Sequence, residues 1–137
     1  MSTEHRIVKF SILTAIALVI ASGAIVFVSV RAQQSGGTQV SIVEGASTMT
    51  DKAFDPNPAN VKSGDTVTWT NNDAQAHTVV SGTGPSDPKM GKEFDSSPGF
   101  KTLIGPKQTF DHKFTTAGEF PYFCALHPTM VGKVVVS

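Results

Sequence analysis

The hydrophobic pattern divides the chain into two different parts. Twenty-one residues without a charge, rich in Ile, Val, Ala and Leu, extend from Phe10 to Val30. At about 1.5 Å rise per residue, a helix of this length crosses a hydrocarbon core of about 30 Å. Beyond residue 39 no stretch has convincing helical periodicity, and short apolar runs alternate with turn residues instead. The pattern therefore predicts one N-terminal apolar helix followed by a β domain.

Four short segments of the second part have the pattern of strands. Within Asp65-Thr-Val-Thr-Trp-Thr-Asn71, Val67 and Trp69 fall on one face and threonines on the other, which is the alternation of a half-buried strand. The other three segments are residues 40–43, 109–114 and 133–136. Because Gly-, Pro- and Ser-rich breaks separate such short strands, the sequence predicts an all-β sandwich or barrel.

Residues 10–30 have two interpretations. A cleavable signal peptide usually has an apolar region of about 7–15 residues, so the length favours an uncleaved transmembrane anchor, although Val30-Arg-Ala32 could serve as a cleavage site. Arg6, Lys9 and the amino terminus outnumber Arg31, and the positive-inside rule then leaves residues 1–9 in the cytoplasm. We expect a single-pass cell-membrane protein with its domain on the extracytoplasmic side. The alternative is a secreted or periplasmic protein after cleavage.

Length and charge limit the number of domains and the kind of partner that the chain beyond the predicted anchor can have. Residues 31–39 are rich in Gln, Ser and Gly and are typical of a flexible tether, and residues 40–137 suffice for one small β domain. One cysteine permits no internal disulfide. The whole chain has eleven basic and eleven acidic residues, while from Ala32 onward eight lysines against ten acidic residues leave a charge of −2. Without a basic stripe, nucleic acid is not expected as a partner.

The single cysteine stands in the run Cys124-Ala-Leu-His127-Pro-Thr-Met130. A thiolate, an imidazole and a thioether at three-residue intervals form a set of soft ligands, and His77 supplies a second imidazole upstream. A trigonal His₂Cys site with a weak axial Met is diagnostic of blue-copper electron-transfer centres. The sequence therefore predicts one type 1 copper ion, cycling between Cu(I) and Cu(II), with the ligands His77, Cys124, His127 and Met130.

Other interpretations of these residues are weaker. A lone Cys or Met is usually buried in a core, but here four residues of the required types occur in the required order. A Cys nucleophile and its His base normally meet from distant parts of a larger enzyme. Zinc takes four strong ligands, and a thioether is a poor fourth. No substrate-binding motif is present, so we do not expect an enzyme.

Two blocks of the sequence resemble the plastocyanin and amicyanin family of cupredoxins. The first begins at Phe54-Asp-Pro, includes the Trp69 strand and ends at His77-Thr-Val; the second extends from Gly118 to the strand after Met130. The Cys-x₂-His-x₂-Met loop is the short form and is most similar to that of amicyanin. Many members have Asn directly after the first His, whereas Thr78 stands here.

The resemblance implies an eight-stranded Greek-key β-sandwich over residues 40–137 with copper at one end. It also implies roles: Cys124 as thiolate, His77 and His127 as in-plane ligands, Met130 as axial ligand, and His127 as the electron port within an apolar patch. We expect a monomeric, membrane-anchored one-electron carrier between a protein donor and a protein acceptor. The alternatives are an exported copper chaperone or copper-storage protein with the same ligands, and a structural sandwich in which the motif is incidental.

Overall fold

The computed structural model describes residues 37–137. The predicted transmembrane segment at residues 10–30 and the tether up to residue 36 lie outside this range. Among the described residues there is no α-helix, and hence none long and apolar enough to cross a membrane. Two single 3₁₀ turns, Ala46–Thr48 and Pro98–Phe100, accompany eight strands. The strands are β1 (Thr38–Ile42), β2 (Phe54–Asp55), β3 (Ala59–Val61), β4 (Thr66–Asn71), β5 (Val80–Ser81), β6 (Thr109–Lys113), β7 (Gly118–Phe123) and β8 (Val131–Val136).

The strands form two four-stranded sheets. One has the order β2-β1-β4-β6 and the other β3-β8-β7-β5. The pairs β1–β4 and β3–β8 are parallel, and the remaining neighbours are antiparallel. The predicted all-β sandwich of eight strands is confirmed. Strand β1 begins at Thr38, two residues before the predicted start of the domain.

The core between the sheets results from the alternation seen in the sequence. In β4, Val67 and Trp69 are fully buried, while the threonines on the opposite face are partly exposed, as predicted. The Trp69 ring lies 5.4 Å from the Tyr122 ring in an edge-to-face arrangement, so it joins the two sheets. Three phenylalanines complete the cluster around it: Phe94, Phe110 and Phe114.

One glycine makes room for this cluster. Gly132 pairs with Tyr122 across β7 and β8, and the Tyr122 ring covers it. A Cβ atom at position 132 would lie 2.5 Å from the Tyr122 hydroxyl oxygen, which no side chain tolerates. The glycine therefore lets the aromatic core extend to the end of β7, immediately before the loop that contains Cys124.

Candidate metal centre

The loop between β7 and β8 is a closed turn. The backbone N–H of Cys124 donates to the carbonyl of Met130 at 3.1 Å, and the N–H of Met130 donates to the carbonyl of His127 at 2.9 Å. The N–H of His127 in turn donates to the carbonyl of Cys124 at 3.1 Å. Three predicted ligands thus lie in succession on a loop whose two ends are hydrogen-bonded to each other.

His77 reaches the same end of the sandwich from the segment after β4. Its backbone exchanges two hydrogen bonds with Ile104, at 3.1 and 2.9 Å. The preceding turn is fixed by Asn71, whose side-chain amide donates to the carbonyls of Gln75 at 2.7 Å and Ile104 at 2.9 Å. The His77 ring lies 5.0 Å from the His127 ring, so the two segments meet at the predicted ligands.

The donor atoms of His77, Cys124 and His127 all lie within 4.8 Å of one another. The Cys124 sulfur is 3.7 Å from the Nδ1 atom of each histidine. This is the spacing that three ligands of one ion require. The fourth predicted ligand, Met130, is fully buried at the end of the same loop.

Behind His77 lies a carboxylate whose role the sequence did not reveal. Asp73 is buried, and its Oδ2 atom lies 2.8 Å from His77 Nε2. Its Oδ1 atom accepts hydrogen bonds from the N–H groups of Gly45, at 3.2 Å, and Ala74, at 2.7 Å. A carboxylate that accepts the second ring N–H of a ligating His fixes its orientation and its tautomer. The feature of the sequence that could have indicated this role is an acidic residue four positions before a candidate ligand.

The electrostatics favour a deprotonated sulfur. Burial alone raises the pKa of Cys124, but hydrogen bonds with His77, with the Thr78 N–H and with His127 outweigh it and lower this pKa to about 6. Burial also lowers the pKa of His77, while the adjacent Cys124 sulfur and the Asp73 carboxylate reverse this and raise it. Burial raises the pKa of Asp73, and its hydrogen bonds from His77, Gly45 and Ala74 lower it overall. The lowered pKa values favour an anionic Cys124 sulfur and an anionic Asp73 carboxylate, and the raised pKa of His77 reflects these two negative neighbours.

The donor set fits copper. A thiolate and two imidazole nitrogens converge on one point, and a buried thioether ends the same loop. Soft sulfur ligands with imidazole select copper, whereas Mg²⁺ and Ca²⁺ prefer oxygen. Because the Asp73 carboxylate occupies His77 Nε2, the Nδ1 atom of this ring remains for the metal.

The four predicted ligands differ in their access to solvent. His77, Cys124 and Met130 are fully buried, while His127 is partly exposed. The third histidine within residues 37–137, His112, lies in β6 away from this cluster, and its ring packs at 4.9 Å from Phe94 and 4.8 Å from Phe114. Of the described histidines, only His127 therefore connects the site with the surface.

Comparison with known proteins gives the family. The profile described as "Copper binding proteins, plastocyanin/azurin family" matches residues 39–137. A chloroplastic plastocyanin of Tetradesmus obliquus is 39% identical over 85 residues, which are 61% of this chain and 57% of that protein. Amicyanin-alpha of Methylorubrum extorquens is 34% identical over 113 residues, 79% of this chain and 78% of the relative.

A solved structure supports the same assignment. The novel purple cupredoxin from Nitrosopumilus maritimus superposes with a TM-score of 0.62 at 31% identity, covering 73% of this chain and 99% of that protein. The chain belongs to the plastocyanin/azurin family of copper-binding proteins, the cupredoxins. Its cofactor is one type 1 copper ion, for which His77, Cys124 and His127 form the candidate site.

Proposed function

We propose that this protein is a one-electron carrier, not an enzyme, in which His77, Cys124 and His127 bind one type 1 copper ion and Met130 is the weak axial ligand. The observation that carries the proposal is the convergence of two imidazole nitrogens on one buried sulfur, 3.7 Å from each. When bound, copper supplies two oxidation states, Cu(I) and Cu(II), that differ by one electron. The chain supplies the geometry.

The protein holds these ligands so that little must move when the oxidation state changes. Asp73 orients the His77 ring, Ile104 fixes its backbone, and the loop from Cys124 to Met130 is closed by its own hydrogen bonds. Ligands fixed in this way by packing and by surrounding hydrogen bonds keep a site preorganised. A small rearrangement between states is the condition for fast electron transfer.

The partly exposed His127 is the proposed electron port. Three large apolar side chains are exposed on the segments that contact the ligands: Leu126 (39%), Leu103 (38%) and Phe100 (55%). Leu126 directly precedes His127, and the segment with the other two leads into Ile104, which is hydrogen-bonded to His77. Exposed apolar residues next to a functional group are typical of a protein-interaction surface. Donor and acceptor proteins would dock there in turn.

We further propose that the carrier acts at the outer face of a membrane. Residues 10–30 contain no charge and are long enough to span the hydrocarbon core, and Arg6 and Lys9 precede them. Residues 31–36 would then link the anchor to the sandwich. A single copy of the chain contains all four proposed ligands, so we propose a monomer.

Spectroscopy of the purified full-length chain after copper loading tests the proposal. We expect one copper ion per chain, an intense visible band from thiolate-to-copper charge transfer, and the narrow copper hyperfine splitting of a type 1 site in paramagnetic resonance. Cys124→Ala should lose the visible band because it removes the thiolate. A wild-type protein that binds copper without this band would contradict the proposal.

Kinetics separate a carrier from a copper chaperone or storage protein. A carrier should exchange electrons between its oxidised and reduced forms rapidly and retain its metal throughout. A chaperone should instead transfer copper to a competing chelator of moderate affinity within the same time. The buried, hydrogen-bonded ligands favour the first result, and rapid metal loss from the reduced protein would favour the second.

A further inference from the structure

The side chain of Asn57 bonds to the backbone of β8 just before β3 begins to pair with that strand. Its Nδ2 atom donates to the carbonyl of Val131 at 3.2 Å, and its Oδ1 atom accepts the N–H of Lys133 at 3.0 Å. The Nδ2 atom also donates to the carbonyl of Asp51 at 2.8 Å. A flipped amide would set its N–H groups against the Lys133 N–H and its oxygen against two carbonyls, so the three contacts together define the orientation of the amide.

The two contacts with β8 have the pattern of a parallel ladder. In such a ladder a residue donates to the carbonyl just before its partner and accepts the N–H just after it. The two backbone groups that the amide binds lie on either side of Gly132. Strands β3 and β8 pair in parallel with Ala59 opposite Val134, and the same register places position 57 opposite Gly132. The side-chain amide of Asn57 therefore takes the place of backbone groups and extends the ladder by one rung toward the start of β8.

This rung lies directly behind Met130. The N–H of Val131, the next residue, donates to the carbonyl of Thr50 at 3.3 Å, so both backbone groups of Val131 are bound by residues 50–57. On the other side, the N–H and the carbonyl of Met130 are both held by the closed loop. The Met130 backbone therefore lies between two anchors, the loop before it and the Asn57 segment after it.

We propose that Asn57 is a positioning residue for Met130, because its amide completes the ladder at the start of β8 and so fixes the strand that begins directly after this ligand. The rung itself is a property of the folded chain alone. The effect on the metal centre rests on the proposed function, because it concerns the axial ligand. Without the rung, the thioether is held less firmly in its axial position. Since the axial ligand tunes the potential and this donor favours the oxidised state, a loosened Met130 should raise the reduction potential, as its removal should.

Hydrogen exchange in the metal-free full-length protein tests the rung. Asn57→Ala removes the three hydrogen bonds, and Asn60→Ala, at an exposed position of β3, is the matched control. Exchange of the Lys133 amide should be roughly fivefold faster in Asn57→Ala, the factor for loss of a typical hydrogen bond, and unchanged in Asn60→Ala. The amide of Phe114, which is bonded to Asp65, should be unaffected in both variants, so that a general loss of stability is distinguished from a local one. Equal Lys133 exchange in the two variants would overturn the proposal.

The reduction potentials of the copper-loaded proteins test the positioning of Met130. Asn57→Ala should have a higher potential than the wild type, with Asn60→Ala close to the wild type. In a Met130→Leu background no thioether is left to position, so Asn57→Ala should change the potential no further. Faster Lys133 exchange with an unchanged potential would overturn the positioning role, and so would a shift of equal size in both backgrounds.

A second variant decides the question if Asn57→Ala does not fold. The side chain in Asn57→Ser is too short to bridge both backbone groups of β8, so the same two measurements should change in the same directions. A wild type without a type 1 spectrum would refute the proposed function, while exchange at Lys133 would still decide whether Asn57 forms the rung.

Discussion

The Oδ2 atom of Asp73 lies 2.8 Å from Nε2 of His77, and both side chains are buried. Both carboxylate oxygens accept hydrogen bonds, since the other oxygen accepts two backbone N–H groups. These hydrogen bonds hold the carboxylate in one orientation. The imidazole that donates to it then carries its proton on Nε2. The anionic group also lies on the far side of the ring from the proposed copper, where it makes the imidazole a stronger donor.

Asp73→Asn should lower the affinity for copper and raise the reduction potential. The amide is similar in shape but carries no negative charge, so the oxidised state loses more stabilisation than the reduced state. For such partners of metal ligands, substitution typically costs about 10–100-fold in affinity or activity. Competition titration and voltammetry of the loaded protein measure both effects. Asp111→Asn, which removes an exposed carboxylate from β6, is the control and should leave both values unchanged.

The strands that could be predicted from the sequence are those whose hydrophobic alternation is visible within the strand itself. The alternation predicted β4 because its inward residues Val67 and Trp69 are apolar and each outward residue is threonine. Strands β2 and β5 have two residues each and are too short to alternate, so only tertiary pairing defines them. The candidate ligands were recognisable for a different reason, since soft donors of these types in this order have few other uses.

The surroundings of the ligands were not predictable in the same way. The contact from Asp73 to Gly45 joins residues 28 positions apart, and the contact from Thr78 to Ala125 joins residues 47 positions apart. Apart from the position of Asp73 four residues before His77, neither residue differs in sequence from an ordinary turn or strand residue. Their roles arise from the way the sandwich brings distant loops to one end, which no local periodicity encodes.

Met130→Leu should leave a coloured copper site with a higher reduction potential. The side chain is fully buried, and Leu has a similar volume, so the cost in stability should be below about 1.5 kcal/mol. The proposed trigonal ligands remain, while the proposed axial donor, which would favour the oxidised state, is lost. Voltammetry and the visible spectrum measure the change, with Met49→Leu at a partly buried position as the control. An unchanged potential would show that Met130 is not an axial ligand.

Gly132→Ala should destabilise the metal-free protein by roughly 1–3 kcal/mol, the usual cost of overpacking a core. The added methyl group would overlap the Tyr122 ring, which already packs against the rings of Trp69 and Phe54. Urea unfolding followed by tryptophan fluorescence measures the free energy of unfolding. Gly37→Ala, whose added methyl group would lie 3.7 Å from its nearest neighbour, is the matched control. Equal stability of the two variants would refute the steric role of Gly132.

His112 should make the metal-free protein less stable in mild acid. Its burial against Phe94 and Phe114 lowers its pKa from 6.5, and the nearby Glu93 opposes this only in part. The unfolded chain therefore binds more protons at this residue than the folded protein does. The stabilising contribution of neutral His112 is fully present above pH 6.5. It is lost as the pH falls through the lower pKa that His112 has in the folded protein.

The same unfolding experiment at about pH 7.5 and about pH 5.5 measures this effect, since the two values bracket the ordinary histidine pKa. The free energy of unfolding should fall less between them in His112→Gln than in the wild type. Between about pH 7.5 and 8.5 the two proteins should have the same pH dependence, because His112 is neutral in both states there. An identical acid slope in variant and wild type would contradict the prediction.

External protease should remove the copper domain from intact cells if residues 10–30 anchor the protein in the cell membrane. Arg6 and Lys9 would stay inside, and a domain of this size is exported with the C-terminal side. A short link to the membrane confines the carrier near membrane-bound partners and raises their effective concentration. Carbonate-washed membranes should accordingly retain the full-length chain. A soluble exported form that begins near Gln33 would refute the anchor and leave the electron-carrier proposal intact. A protease-protected domain inside the cell would contradict both the predicted orientation and the proposed partners outside the cell.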